Sequence, residues 1–232
     1  MVTASDSLIR LNLPREWQHI AAGRLDLRAL TDPDAAAQTF LSSREQTDWR
    51  TLAHPVRRTE WLGARVCLKS LVIGRVDPIC NPRELTIEKD NRGRPWLCTD
   101  PLRQFVVGHC SLAHAATAAG AAWTSHPRVR IGIDVEQITP RLQRAAGAFR
   151  SPRDSSLVRR PELEQLAVWW TLKEAASKAW GQGLGAGLAE IDCAETVPGR
   201  HRVIHVDGRM LVGWHCAFEN FILALCASDP VE

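Results

Sequence analysis

A strict alternation of apolar residues in the segment RVRIGIDVE, residues 128–136, constrains the fold more than any other feature of this sequence. The apolar positions are Val129, Ile131, Ile133 and Val135, and they alternate with Arg130, Gly132, Asp134 and Glu136. A period of two places successive side chains on opposite faces of an extended chain and therefore predicts a β-strand. The apolar side chains are expected to pack inward.

The two acidic residues of this strand, Asp134 and Glu136, project from the same face, about 6.6–7 Å apart along the chain. Carboxylates this close repel each other unless a cation lies between them or one of them binds a proton. The pair fits a metal site or a solvated strand face. Because D-x-E is a common sequence, the alternation alone leaves both interpretations open.

A long helix is predicted for PELEQLAVWWTLKEAASKAW, residues 161–180. The first turn of a helix tolerates a proline such as Pro161, and Gly181 and Gly183 are typical of residues that end a helix.

Three residues of this predicted helix, Trp170, Glu174 and Lys178, lie four positions apart and therefore share one face. A surface ion pair between Glu174 and Lys178, worth a few tenths of a kcal/mol, is the simplest interpretation of the two charges. Trp170 taken alone is best interpreted as a core residue.

The other segments alternate between helical and extended patterns. Residues 32–70 have a spacing that fits one long or two short helices, whereas residues 84–97 predict a strand, a turn and a second extended piece. Residues 202–214 and 219–227 predict strands, with an Asp-Gly turn at residues 207 and 208. The alanine-rich residues 112–122 fit either a helix or a tightly packed strand.

The order of these elements predicts an α+β fold. Residues 139–160 are rich in Arg, Pro, Ser and Gly and predict a mobile or loosely helical excursion with exposed charge. No segment has the composition of an inter-domain linker, so the pattern favours two similar halves packed together.

The composition limits the classes of partner and compartment. The chain has 29 Lys and Arg against 26 Asp and Glu, a net charge of +3 that suits phosphate ligands or an acidic partner. A nucleic-acid-binding module needs a stronger basic face with interleaved aromatic residues, so that alternative is disfavoured. Seven cysteines without a C-x-x-C pair indicate a reducing, cytoplasmic compartment. Neither an export signal nor a membrane span of about 18 apolar residues is expected.

Several basic residues are candidates for holding a phosphate group. Arg58 and Arg65 lie in a helical stretch, and Arg94 lies in a G-R-P turn. His109 follows the apolar run F-V-V and is expected at a strand end. Arginine binds phosphate oxygens through two parallel hydrogen bonds. A solvated surface charge is nevertheless the simpler interpretation of each arginine taken alone.

Four motifs occur in the order found in one enzyme family. They are G-R-P at residues 93–95, F-V-V-G-H-C at 105–110, G-I-D-V-E at 132–136 and W-T-L-K-E-A-A-S-K at 170–178, with a looser match in R-R-T-E-W-L-G-A-R at 57–65. The series resembles the phosphopantetheinyl transferase superfamily over more than half of the chain. The chain length resembles that of the long, surfactin-type members, which are pseudo-dimers of two α/β halves.

The resemblance implies a monomer with an N-terminal α/β half, residues 1–125, and a C-terminal half, residues 126–232, that carries the metal-binding motifs. It also favours strands for residues 112–122. The implied activity is transfer of the 4′-phosphopantetheine arm of coenzyme A to a serine of an acyl, polyketide or peptidyl carrier protein, with release of adenosine 3′,5′-bisphosphate.

The resemblance also implies roles for residues that match the family motifs. Asp134, Glu136 and Glu174 are expected to bind Mg²⁺, a hard ion that prefers carboxylate and phosphate oxygens. Glu174, Lys178 and Asp134 are the expected catalytic residues, with the identity of the general base left open between Glu174 and Lys178. The residues expected to bind coenzyme A are Arg58, Arg65, Arg94 and His109.

An acidic carrier protein needs a basic docking surface, and the arginine-rich stretch at residues 141–160 is a candidate for it. A solvated basic loop is an equal alternative for this stretch.

The chain departs from the family around His109, where members usually have Ser-His-Ser and this chain has Gly108 and Cys110 on either side. Hydroxyl contacts to the coenzyme are therefore missing, although the backbone N–H of Gly108 can substitute. A member that binds coenzyme A without catalysis is the alternative that this departure leaves open. A zinc site at His109, Cys110 and His114 is disfavoured because no second pair of ligands is evident.

Overall fold

The computed structural model describes residues 7–76, 81–91, 93–99, 106–157, 160–182 and 187–228. These residues form eleven strands in two antiparallel sheets together with six α-helices, which confirms the α+β class. Contacts divide the chain into two compact units, Met1–Pro127 and Arg128–Glu232. The predicted assignment of residues 1–125 and 126–232 to two domains stays a prediction.

The first unit packs a long helix against a six-stranded sheet. Its elements are β1 (Leu8–Arg10), β2 (Ile20–Asp26), α1 (Pro33–Phe40), α2 (Ser43–Thr51), α3 (Pro55–Val72), β3 (Leu85–Lys89), β4 (Pro95–Thr99), β5 (Val106–Ala115) and β6 (Ala118–Thr124). The strand order is β1-β2-β6-β5-β4-β3. Its core lies between α3 and the sheet and includes Leu68, Leu71, Leu97 and Ala121.

The prediction of one or two helices for residues 32–70 is wrong, because three helices lie there. Ser42 starts α2 with a capping box, in which its hydroxyl accepts from the Glu45 N–H while the Glu45 carboxylate accepts from the Ser42 N–H. Pro55 stands in the first turn of α3. The start of α2 is thus marked by side-chain capping and the start of α3 by a proline, and neither signal is part of the apolar spacing.

The alanine-rich residues 112–122 form strands, as the family resemblance predicted. They belong to β5 and β6, which are joined by a tight turn at Ala116 with φ of 50°. Every residue of β6 is buried. Small side chains in a buried strand let a helix approach closely, and this tertiary packing outweighs the helix propensity of alanine.

The second unit packs a second long helix against a five-stranded sheet. Its elements are β7 (Ile131–Gln137), α4 (Arg141–Phe149), α5 (Pro152–Leu157), α6 (Leu163–Trp180), β8 (Ile191–Val197), β9 (Arg200–His205), β10 (Met210–Phe218) and β11 (Phe221–Ala227). The strand order is β7-β11-β10-β9-β8. Its core includes Leu166, Leu172, Ile222, Ala224 and Cys226.

The predicted strand at residues 128–136 and the predicted long helix are confirmed as β7 and α6. The helix begins at Leu163, two residues after Pro161, and ends at Gly181, whose left-handed φ of 72° favours glycine. The second predicted stop, Gly183, lies outside the described residues.

The helical alternative and the exposed charge predicted for residues 139–160 are confirmed, because the stretch contains α4 and α5 and exposes arginines. The helices are packed rather than loose, since α4 buries Leu142 and Phe149 on the side that faces α6. Exposed arginines and one glycine concealed this amphipathic pattern in the sequence.

Each unit buries a lysine of its long helix in the same local arrangement. Lys69 donates to the carbonyl of Phe40 at 2.7 Å and pairs with Glu45. In the second unit, Lys173 donates to the carbonyl of Phe149 at 2.7 Å and pairs with Asp154. The sequences involved, FLSSRE at 40–45 and FRSPRD at 149–154, are an internal repeat.

Candidate active site

The centre of the candidate site is the contact between β7 and α6. An ideal Cβ built on Gly132 lies 2.0 Å from the carbonyl oxygen of Ala175, so only glycine lets the helix approach this closely. Asp134 and Glu136 follow Gly132 on the same face of β7. That face is therefore covered by α6, and the alternative of a solvated strand face is wrong, since Asp134 is only 9% exposed.

Lys178 connects α6 to β7. Its ammonium group donates to Asp134 Oδ1 at 2.8 Å and to the carbonyl of Ile133 at 3.0 Å. The lysine side chain is about one quarter exposed. The simplest interpretation of Lys178 was a surface ion pair with Glu174 along the helix. In the structure Lys178 pairs with Asp134 on the neighbouring strand.

Glu174 is the most perturbed acid of the site. It is 6% exposed, and its Oε2 atom is buried without a hydrogen-bond partner. Burial raises the pKa of Glu174 to about 7, the charge of Asp134 adds to this, and Lys178 lowers it. A carboxylate in this position gains free energy from binding a proton or a cation.

The carboxylate of Glu136 is paired with an arginine of the next helix. Arg141, at the start of α4, contacts both carboxylate oxygens at 3.1 Å, and the Gln137 N–H donates to Oε1 at 3.1 Å. Burial raises the pKa of Glu136, while Arg141 opposes the shift. The role of Arg141 was missed in the sequence, where its position five residues after Glu136 was the available signal.

The acids and Lys178 are thus brought together within the second unit. As the side chains lie, no group of three His, Cys, Asp or Glu residues in the described part of the chain is placed to hold a metal ion. The orphaned oxygen of Glu174 and the mutual repulsion of the acids nevertheless fit a hard cation. The assignment of Asp134, Glu136 and Glu174 to Mg²⁺ stays a prediction.

The first unit lacks these acids at the corresponding positions. Gly23 of β2 approaches Leu71, two residues after the buried Lys69, as Gly132 approaches Ala175, two residues after Lys173. Aligned in this way, the counterparts of Asp134, Glu136 and Glu174 are Leu25, Leu27 and Ser70. The acidic arrangement therefore occurs once in the repeat.

Two arginines of α3 were expected to bind the coenzyme, and in the structure each of them packs against a tryptophan ring. The Arg65 guanidinium lies 3.1 Å from the Trp61 ring centroid and 3.6 Å from a Glu45 oxygen. Arg65 is buried, and burial lowers its pKa to about 10. Arg58 lies 4.2 Å from the Trp49 ring centroid and is half-buried.

Arg94 and His109 are more accessible. Arg94 lies in the turn between β3 and β4, where its guanidinium donates to Asp90 at 2.8 Å. His109 is exposed and lies inside β5, opposite Trp96 and Thr124, so the expected position at a strand end is wrong.

The residues beside His109 have packing roles. Gly108 has φ of 151°, and an ideal Cβ there would lie 2.3 Å from the Thr124 carbonyl oxygen and 2.7 Å from Trp123 Nε1. A serine would therefore not fit this backbone. Cys110 lies in the core, and burial raises the pKa of its thiol well above the usual range. A solvated zinc thiolate is not favoured at such a position.

Comparison with known proteins identifies the family. A profile of the 4′-phosphopantetheinyl transferase superfamily matches residues 130–226, which include both β7 and α6. The chain is 30% identical over 176 residues to the 4′-phosphopantetheinyl transferase HetI of Nostoc sp., covering 72% of this chain and 71% of that protein. The chain belongs to the 4′-phosphopantetheinyl transferase superfamily. It is an enzyme of the phosphopantetheinyl transferase type.

Further relatives of this phosphopantetheinyl transferase are more distant or shorter in overlap. The 4′-phosphopantetheinyl transferase pptA of Paxillus involutus is 31% identical over 162 residues, covering 61% of this chain and 58% of that protein. A crystal structure of a holo-(acyl-carrier-protein) synthase from Bacillus anthracis in complex with CoA (3′,5′-ADP) aligns with a TM-score of 0.38 and 20% identity, covering 45% of this chain and 92% of that one. Across the described residues, no helix is both long and apolar enough to cross a membrane.

Proposed function

We propose that this chain transfers 4′-phosphopantetheine from coenzyme A to a serine of an apo acyl, polyketide or peptidyl carrier protein, releasing adenosine 3′,5′-bisphosphate in a Mg²⁺-dependent reaction. The observation that carries the proposal is the convergence of Asp134, Glu174 and Lys178 between β7 and α6. Membership of the superfamily supplies the reaction class.

Asp134, Glu136 and Glu174 would hold Mg²⁺ in this proposal. Their oxygens are the ligands that this ion prefers, and Glu174 has an unpartnered oxygen to offer. When bound, the ion would neutralise charge on the pyrophosphate of coenzyme A. Lys178 and Arg141, which now pair with two of these acids, would move away from them.

Lys178 and Glu174 would have different roles in the reaction. Lys178 would contact the phosphate oxygens and stabilise the leaving group. Glu174, or a water that it holds, would accept the proton of the carrier serine, because a carboxylate whose pKa is raised to about 7 is matched to proton transfer near neutral pH. Arg58, Arg94 and His109 remain the proposed contacts to coenzyme A, whereas burial disfavours such a contact for Arg65.

An acidic carrier protein would dock on the arginines of α4 and α5. Arg141, Arg144 and Arg153 are exposed there. Opposite charges on the two proteins increase the rate at which they meet, and this effect weakens as ionic strength rises. Charge reversal of Arg144 and Arg153 should therefore raise the apparent KM for the carrier at low salt and leave coenzyme A binding unchanged. Arg159, another candidate of this surface, lies outside the described residues.

We further propose that the two units are the halves of an intramolecular pseudo-dimer and that the protein acts as a cytoplasmic monomer. Each unit has two short helices, a long helix with a buried lysine, and an antiparallel sheet. The acids of only one unit would form an active site. Sedimentation of the purified protein measures the oligomeric state directly.

The transfer assay is a mass measurement. The protein is incubated with coenzyme A, Mg²⁺ and a panel of apo carrier proteins, and each carrier is weighed for the added arm. Asp134→Ala and Glu174→Ala should abolish transfer with unchanged circular dichroism. Glu164→Ala, which removes an exposed acid of the same helix, should remain active.

Two results would overturn this proposal. One is the absence of a mass gain with every carrier, and the other is full activity of Asp134→Ala. Tight calorimetric binding of coenzyme A without transfer would instead support a non-catalytic coenzyme A-binding member.

A further inference from the structure

A cavity of about 460 Å³ lies beside the N-terminal turns of α6 in the second unit. Its lining includes the imidazoles of His201 and His215 and the carboxylates of Glu162, Glu164 and Glu195. Glu164 precedes Glu174 by ten residues, which is about 15 Å along a helix axis. The cavity is therefore separate from the candidate active site.

Strand pairing brings the polar residues of this cavity together. Glu195 of β8 pairs directly with His201 of β9, and such partners project from the same face. The His215 N–H donates to the Gly199 carbonyl at 3.0 Å, which places β10 alongside. As a result, His201 Nε2 and His215 Nδ1 are only 2.8 Å apart.

The inner imidazole of this pair has an unused ring nitrogen. His201 is 3% exposed, and its Nδ1 atom is buried without a hydrogen-bond partner. Burial, with a contribution from His215, lowers the pKa of His201 to about 4, so the ring is neutral at neutral pH. A neutral imidazole has a lone pair available to a metal ion.

The charges around the pair favour a cation. Among the described residues that line the cavity, three carry carboxylates and one, Arg160, carries a guanidinium. We propose that His201 and His215 bind a late first-row transition-metal ion, of the class of Ni²⁺, Cu²⁺ or Zn²⁺, at a site separate from the proposed Mg²⁺ site. Imidazole suits these ions, whereas Mg²⁺ prefers oxygen ligands.

The rearrangement that binding requires is small. Two nitrogens bound to one metal at about 2.0–2.1 Å are about 2.8–3.4 Å apart at angles between a right angle and the tetrahedral angle. The two nitrogens, which are 2.8 Å apart in the structure, therefore separate by at most about 0.6 Å, and half-buried His215 must turn. If His201 Nε2 carries the shared proton, that proton moves to the unused Nδ1 and is not released.

The remaining ligands would come from water or from Glu195. No three His, Cys, Asp or Glu side chains converge in the described residues as they lie. Glu195 would first have to give up its 2.9 Å hydrogen bond from the Gly199 N–H. Two imidazoles with water are the minimum set that the proposal needs.

Calorimetric titration of the untagged full chain with Ni²⁺, in excess Mg²⁺ to occupy the hard-ion site, tests the proposal. One equivalent should bind, and His215→Gln should weaken binding by about tenfold or more, because loss of even an outer-shell partner of a metal ligand costs about 10–100-fold. His201→Gln should do the same, provided that circular dichroism shows an intact fold. His205→Gln, which changes another buried histidine of β9, is the matched control.

Absence of Ni²⁺ binding in the wild-type chain would overturn the proposal. So would equal binding by wild type and His215→Gln, or a loss confined to His205→Gln. The readout involves neither coenzyme A nor a carrier, so its failure would leave the proposed transferase function untouched.

Discussion

Arg141 should compete with a divalent cation for Glu136. Its guanidinium contacts both carboxylate oxygens at 3.1 Å, whereas the arginine side chain is 64% exposed and Glu136 is mostly buried. An ion pair with one exposed partner contributes about 0.2–1 kcal/mol. Removing it with Arg141→Gln should therefore strengthen Mg²⁺ binding between about 1.4-fold and fivefold.

The control must separate this contact from the general effect of removing a positive charge. Arg144 is exposed on α4, three residues after Arg141, and it pairs with no carboxylate in the described part of the chain. Arg144→Gln removes the same charge and should change Mg²⁺ affinity less than Arg141→Gln does. Arg141→Lys keeps the charge, so its affinity should remain close to wild type.

Calorimetry with Mg²⁺, supported by electron paramagnetic resonance of bound Mn²⁺, measures these affinities without coenzyme A or carrier. Equal gains in Mg²⁺ affinity in Arg141→Gln and Arg144→Gln would refute specific competition for Glu136. Such gains would be explained by the long-range electrostatic effect of removing one positive charge. No gain in either variant would mean that Glu136 does not bind the ion.

Three further predictions concern the stability of the second unit. The pKa of Glu174 is raised to about 7, so its contribution to the stability of the metal-free protein is fully present below the pKa of Glu174 in the unfolded chain and is lost as pH rises through 7. Glu174→Gln should therefore stabilise the protein more at pH 8 than at pH 5, as measured by urea unfolding. Gly132→Ala places a methyl group 2.0 Å from the Ala175 oxygen and should lower the free energy of unfolding by about 1–3 kcal/mol or more, whereas Gly147→Ala, where nothing lies within 4 Å, should not. Asp154→Ala leaves Lys173 buried without its carboxylate and should cost about 3–5 kcal/mol in the same measurement, and a loss below 1 kcal/mol would contradict the structural role of the pair.

Local patterns predicted the elements whose signal is contained in a few residues. The alternation at 128–136 became β7, and the apolar spacing with Gly181 as a stop became α6. Capping was underestimated, since Ser42 and Glu45 divide a stretch whose apolar spacing continues through the break. Buried strands of alanine needed the family resemblance, because their small side chains fit two elements equally.

The environment of the site depended on tertiary contacts that periodicity does not encode. Alternation places Asp134 and Glu136 on one face, but it does not say what covers that face. The close approach of α6 over Gly132 decides this. Arg141 was assigned to a loose basic stretch, and its contact with Glu136 depends on where α4 begins.

The internal repeat distinguishes the residues that both units need to fold from the acids that occur in only one unit. Each unit buries a lysine against a carboxylate and a phenylalanine carbonyl, which orders two short helices under a long one. The buried Asp134 and Glu174 and the mostly buried Glu136, by contrast, repel each other unless a positive charge or a bound proton offsets the repulsion. The first unit has Leu25, Leu27 and Ser70 at the corresponding positions and avoids that cost. The second unit keeps the three acids, and its own Lys178 and Arg141 offset the charge of two of them, so that Glu174 is left without a cation in hydrogen-bonding contact among the described residues.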